Sequence, residues 1–124
     1  VIATDHAPHT IDEKEVEFAQ APFGIVGLET AIGLSMTELV AKKVLTLLQL
    51  VEKLSVNPRR ICGLPPIVIA EGEKANFTFI DPSKTWTVRR EAFRSKSKNS
   101  PFDGMTLTGK AVGIINNGVY LRIH

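Results

Sequence analysis

The apolar residues of this chain follow two different periods, and the switch between them near Leu64 constrains the fold more than any single residue does. From Leu28 the apolar positions fall at Leu28, Ala31, Ile32, Met36, Leu39 and Val40. This i, i+3, i+4 spacing lays one stripe of a helix against a core, and it predicts a helix to about Lys42. Thr46 followed by Gln49 has the form of a capping box, with Leu47, Leu50, Val51 and Leu54 supplying the buried face of a second helix. Asn57-Pro58 suits a cap and first helical position, opening a short third helix towards Gly63. After "GLPP" the pattern alternates. Ala75, Phe77 and Phe79 are interleaved with Asn76 and Thr78, then Trp86 and Val88 with Thr85 and Thr87, as in strands with one buried face. Asn117-Gly118 between "AVGIIN" and "VYLRI" predicts a type I′ hairpin, because both central residues tolerate positive φ. The fold class expected is α/β, with a domain boundary at residues 64/65.

Ahead of the first helix, Val1 to Thr4 reads as a short buried strand. Asp5 to Gly27 reads as a long connection carrying the charged run "DEKEVE" and the turn-like "APFG", and connections of that length are usually functional. Val1 opens inside an apolar run without an initiator methionine, so the 124 residues are expected to be the C-terminal part of a longer polypeptide.

The net charge of +2 is too small to imply nucleic acid or an acidic membrane surface as a partner. "RREAFRSKSKNS" gathers Arg89, Arg90, Arg94, Lys96 and Lys98 but lacks interleaved aromatics, so a solvated loop is expected there. No apolar run approaches the roughly 18 residues of a membrane span, and no basic-then-apolar signal peptide opens the chain. One cysteine, Cys62, excludes an internal disulfide and fits a reducing, cytoplasmic setting.

The stretch "TDHAPH" sets Asp5, His6 and His9 directly after the apolar opening. A carboxylate just beyond a short buried strand is where α/β barrels place catalytic groups. Asp5 and His6 should point to opposite sides of an extended chain, while Pro8 disfavours helix at Ala7, so a bend could bring His9 back over the same cavity as Asp5. A plainer reading stands beside this one: an aspartate in a tight turn that only accepts backbone N–H bonds, and a histidine that only packs. Pro22, Phe23 and Gly24 are equally readable as a turn with an aromatic plug or as a loop that lets a ligand approach the backbone. Composition alone favours the plainer readings, and spacing does not decide between them.

"IATDHAPH", followed by "APFGIVGLETA", closely resembles the class I dihydroorotases of the amidohydrolase superfamily. "NPRRICGL", "EGEKANFTFIDP", "SKSKNSPFDG" and "GIINNGVY" continue the resemblance nearly to the last residue. Asn76 stands where the superfamily commonly has aspartate, and Cys62 where a larger apolar residue is usual. Hydantoinases and allantoinases share the strand-end Asp-His but not the "APH" or the "PFG" loop.

The resemblance implies a zinc-dependent enzyme that interconverts N-carbamoyl-L-aspartate and L-dihydroorotate in de novo pyrimidine synthesis, with its site at the mouth of a (β/α)8 barrel. Residues 1–64 would be the C-terminal part of that barrel, holding its eighth strand and last helices, and residues 65–124 part of a small β-sandwich domain. It implies Asp5 as catalytic acid/base and Zn²⁺ ligand, His9 as the holder of the substrate carboxylate, and Pro22, Phe23 and Gly24 as the loop lining the substrate ring. Glu29 and Thr30 would be structural, and His6 a supporting or buried group. The remaining zinc ligands would lie outside this chain, so the 124 residues alone are expected to be inactive. The partners implied are the small-molecule substrate, the rest of the dihydroorotase chain, a second copy in a homodimer, and aspartate carbamoyltransferase in some family members. Two alternatives accompany this expectation: an inactive homologue acting as a scaffold for aspartate carbamoyltransferase, and a hydantoinase- or allantoinase-type hydrolase.

Overall fold

A computed structural model describes residues 1–123. Its helices are α1 (Ile11–Lys14), α2 (Ala31–Ser35), α3 (Leu47–Val51) and α4 (Asn57–Ile61). Its strands are β1 (Phe77–Thr87), β2 (Thr106–Asn116) and β3 (Val119–Arg122), in one antiparallel sheet of order β1-β2-β3. The chain is mixed α/β, and α2 lies on β2. Among the described residues, no helix is long and apolar enough to cross a membrane.

The expected first helix starts at Ala31 and continues past Ser35 as a wider π-helical turn over Met36–Val40. Its buried face differs from the expected one. Met36 is buried as expected, but Leu28 is exposed, and Thr30, Gly33 and Ser35, outside the expected stripe, are buried. Small residues face the sheet because its side chains already fill the space: a Cβ at Gly33 would lie 3.0 Å from both Leu107 Cδ1 and Trp86 Cζ2. One turn on, Thr37 Oγ1 accepts the Thr108 N–H at 2.9 Å. Val26, Val88, Phe93 and Leu107 form the buried cluster beside this contact, flanked by Leu34, Trp86 and Phe102.

Thr46 and Gln49 form the capping box expected of them: Thr46 Oγ1 accepts the Gln49 N–H at 3.2 Å and Gln49 Oε1 accepts the Thr46 N–H at 2.8 Å. Leu50 is buried, but Leu47 and Val51 remain exposed. Asn57 does not cap a separate helix. Helical backbone runs without a break from α3 through a π-turn over Glu52–Val56 into α4, and Asn57 bonds back to the Glu52 carbonyl. A π-turn widens the helix just ahead of Pro58, which has no N–H to give, so the proline is absorbed rather than starting a new element.

Val1 to Thr4, expected as a buried strand, joins no ladder among the described residues; Val1 is 59% exposed. A strand needs a neighbour, and the segment finds only a bond from the Ile2 N–H to the Lys53 carbonyl, followed by a single parallel bridge between His6 and Ile25. The two alternating runs at 75–79 and 85–88 lead into or belong to one strand, β1, broken by an irregularity between Asp81 and Thr85. There Asp81 Oδ1 accepts the backbone N–H groups of Ser83 and Lys84 and the Ser83 hydroxyl, which hold its carboxyl below the usual range, Ser83's backbone bond foremost. Asn117 (φ 50°) and Gly118 (φ 79°) form the expected turn, with Asn116 opposite Val119. Asn76 Oδ1 accepts the Asn117 N–H at 3.0 Å and so braces this hairpin.

Candidate functional site

Two loops meet at the end of the N-terminal segment. Asp5 has φ +44°, a left-handed turn that bends the chain and leaves its side chain exposed. Among the described residues its carboxylate has no hydrogen-bond or ion-pair partner, unlike a turn aspartate spent on backbone N–H groups, of which Asp81 is this chain's example. His6 turns the other way: its Nδ1 accepts the Gly27 N–H at 3.1 Å, so that nitrogen serves as an acceptor within the protein. It supports the second loop.

His9 sits between the loops. Its Nε2–H donates to the Phe23 carbonyl at 2.9 Å, and its Nδ1 lies 3.6 Å from Glu13 Oε2. Glu13 belongs to a capping box that opens α1, its carboxylate accepting the Thr10 N–H at 2.8 Å while Thr10 Oγ1 accepts the Glu13 N–H. Those bonds, the Thr10 N–H first, hold the Glu13 carboxyl below its ordinary value.

Gly24 lies under this arrangement at φ +111°, with room for nothing larger: a Cβ there would come 2.4 Å from Ala7 Cβ. Phe23 is 97% exposed, so it does not plug a core; among the described residues only its carbonyl is engaged, by His9. Pro22 presents its carbonyl to Lys14 Nζ at 2.8 Å, and the same ammonium reaches the Gly24 carbonyl at 3.2 Å. Lys14 was not singled out in the sequence. Its place one turn into a capped helix is the signal, since "TIDEK" has the S/T-x-x-E form followed at once by a lysine.

The segment expected to be a solvated basic loop is one at Arg89, Arg90, Arg94 and Lys96, which are exposed, but the residues between and after them pack inward. Ser97 and Phe93 are buried, and Asn99 is partly so. Ser97 Oγ accepts the His9 N–H at 3.1 Å. Asn99 Nδ2 donates to the Ala7 carbonyl at 3.0 Å and to the Gly24 carbonyl at 3.2 Å. Lys98 turns back onto its own segment, donating to the Phe93 and Ser95 carbonyls. Glu29 accepts the Arg94 and Ser95 N–H groups at 2.9 and 3.1 Å, and Thr30 is buried, so both are structural.

Beside His9 an open groove of about 390 Å³ runs between Lys14, Lys98 and Asn99. Zinc takes four ligands in its closed sites and three protein ligands in catalytic ones. Among the described residues no three His, Cys, Asp or Glu side chains converge to that extent. The unpartnered Asp5 carboxylate fits one oxygen ligand of such a site, and His6 Nδ1 is already spent on Gly27.

No family model matches the chain. It is 57% identical over 116 residues to the dihydroorotase of Chlorobaculum tepidum, which covers 94% of this chain and 26% of that protein. It is 54% identical over 109 residues to the dihydroorotase of Pelotomaculum thermopropionicum, covering 88% and 26%. Against the dihydroorotase of Clostridium acetobutylicum the identity is 49% over 118 residues, covering 95% and 28%. The chain thus spans about a quarter of the length of the relatives it matches, in their C-terminal portion. Among solved structures it matches an L-hydantoinase (dihydropyrimidinase) from Arthrobacter aurescens with a TM-score of 0.75 and 33% identity, over 84% of this chain and 24% of that one.

Proposed function

We propose that this chain is the C-terminal part of a dihydroorotase, a zinc-dependent hydrolase that opens and closes the six-membered cyclic amide L-dihydroorotate. The observation that carries the reading is the Asp5 carboxylate, turned out by a left-handed backbone and unpartnered among the described residues, four positions ahead of a histidine anchored to the neighbouring loop. The identities of 49–57% to dihydroorotases support it. Residues 1–64 are then the end of the metal-dependent barrel and 65–124 part of a small β-sandwich. The complete protein would be cytoplasmic and dimeric, with the remaining zinc ligands on the three quarters of the relatives' length that this chain does not match.

Amide hydrolysis at neutral pH needs hydroxide, and bound zinc supplies the polarisation that brings a water's pKa to about 7. Asp5, besides being one oxygen ligand, takes the proton of the attacking water and hands it to the departing ring nitrogen. His9 donates a hydrogen bond to the substrate carboxylate. For that, its Nε2–H is shared between the Phe23 carbonyl, which it already meets at 2.9 Å, and the ligand. Pro22, Phe23 and Gly24 form one wall of the ring pocket, where the exposed Phe23 side chain and the bare Gly24 backbone can meet a flat heterocycle.

The match to a hydantoinase favours one second reading, a sister hydrolase acting on five-membered cyclic ureides. Purified complete protein offered dihydroorotate, hydantoin and allantoin separates the two. Turnover of dihydroorotate is expected; turnover of hydantoin or allantoin with dihydroorotate untouched would overturn the main reading. The isolated 124 residues are expected to turn over none of them.

A further inference from the structure

We infer that Ser97 and Asn99 are positioning residues for His9, clamping its loop to the Pro22–Gly24 loop from the opposite half of the chain. The inference rests on the dihydroorotase reading above. A carboxamide has two N–H donors in one plane. Asn99 gives them to one carbonyl on each loop, Ala7 at 3.0 Å and Gly24 at 3.2 Å. Its own backbone carbonyl accepts the Val26 N–H at 3.1 Å, which fixes where along the second loop the carboxamide sits.

Ser97, buried, takes the His9 N–H on its Oγ. It has a single proton to return, and two close acceptors share it, the His9 carbonyl and Asn99 Oδ1. The two side chains therefore act as one unit, with Ser97 on the backbone of His9 and Asn99 on the residues around it. His9 reaches the second loop through the Phe23 carbonyl, next to the Gly24 carbonyl that Asn99 and Lys14 both hold. Loop spacing thus determines where the imidazole points, and a ligand-anchoring group displaced by a fraction of an ångström loses much of its effect. Neither Ser97 nor Asn99 has to touch the substrate.

Asn99→Asp keeps the size of the side chain but sets two acceptors against two carbonyls. In the complete enzyme it is expected to raise KM for dihydroorotate about tenfold or more, the scale of one to two lost hydrogen bonds, with kcat within about threefold. The deciding readout is a double-mutant cycle. If Asn99 acts through His9, adding Asn99→Asp to His9→Ala leaves KM where His9→Ala alone put it. Additive effects, or an unchanged KM in a folded Asn99→Asp enzyme, would overturn the inference. Ser97→Ala, taken through the same cycle, decides the matter if Asn99→Asp does not fold. An active wild type with an additive cycle refutes the clamp alone, whereas a wild type that leaves dihydroorotate untouched refutes the functional reading and the clamp with it.

Discussion

The imidazole of His9 donates from Nε2 to the backbone carbonyl of Phe23 at 2.9 Å, so a side chain from one loop is the peg on which the next loop hangs. A ring held in that way is oriented before any ligand arrives, which lowers the ordering cost of binding. His9→Ala in the complete enzyme is therefore expected to raise KM for dihydroorotate by about tenfold or more while kcat falls much less, because the lost bond serves ground and transition states alike. Steady-state kinetics in both directions checks it. A collapsed kcat at unchanged KM would make His9 a participant in the chemistry instead.

Gly24 and Gly72 both have positive φ, but only Gly24 is crowded: nothing lies within 4 Å of a Cβ built at Gly72. Gly72→Ala should carry only the backbone strain, about 1 kcal/mol, and Gly24→Ala that strain plus displacement of the Ala7 loop, about 2–4 kcal/mol in all. Denaturant unfolding of the complete protein measures the difference. Equal costs would mean that the two loops are not in contact.

The capping boxes of α1 and α3 form an internal pH control. Glu13 has a lowered pKa in the folded chain against an ordinary 4.5, so its contribution is complete above that value and is lost as pH falls through the lowered one. Gln49 does not titrate. Amide exchange at Thr10 and Glu13, corrected for intrinsic rates, should lose protection below pH 4.5 while that at Thr46 and Gln49 stays level. Glu13→Gln should abolish the difference, since an amide oxygen can accept the same bond.

Leu107, buried with Val26, Val88 and Phe93, fills the space over Gly33 on α2, where an added Cβ would come within 3.0 Å of it. Leu107→Ala should destabilise the complete protein by about 2–5 kcal/mol, the usual range for a leucine lost from a packed core. A cost under about 1 kcal/mol would mean that helix and sheet do not pack as described.

What the sequence revealed and what it hid divide along physical lines. Local rules were legible: the Thr46–Gln49 box and the Asn117-Gly118 turn depend on residues within four positions of each other. The second box, Thr10 with Glu13, obeyed the same rule and was passed over inside a charged run. The π-turns after Ser35 and Val51 leave no mark in an apolar period, so the helices were read as regular and Asn57 as a new cap. The helix face on the sheet departs from the apolar stripe because the side chains of Leu107 and Trp86 fill the space over Gly33, and Thr37 takes the Thr108 N–H, so small and polar residues stand where leucine was expected. Ser97 and Asn99 were hidden most completely: they bind backbone carbonyls and an amide up to 92 positions away, which no local pattern records. Asp5 and His9 were conspicuous as residue types, yet their turn geometry and partners emerged only with the fold.

The central claim is that Asp5 moves the proton of a dihydroorotase, and Asp5→Asn in the complete enzyme, with zinc content measured in the same samples, tests it most directly. Ring closure consumes a proton and ring opening releases one, so in the wild type closure should weaken as pH rises and opening as pH falls. Fully metallated Asp5→Asn should lose about 10²- to 10⁴-fold in kcat in both directions, with KM changed far less and both pH dependences flattened. Near-normal kcat with the original opposed pH profiles, at full zinc occupancy, would contradict the account and leave "TDHAPH" as a turn that only shapes the chain.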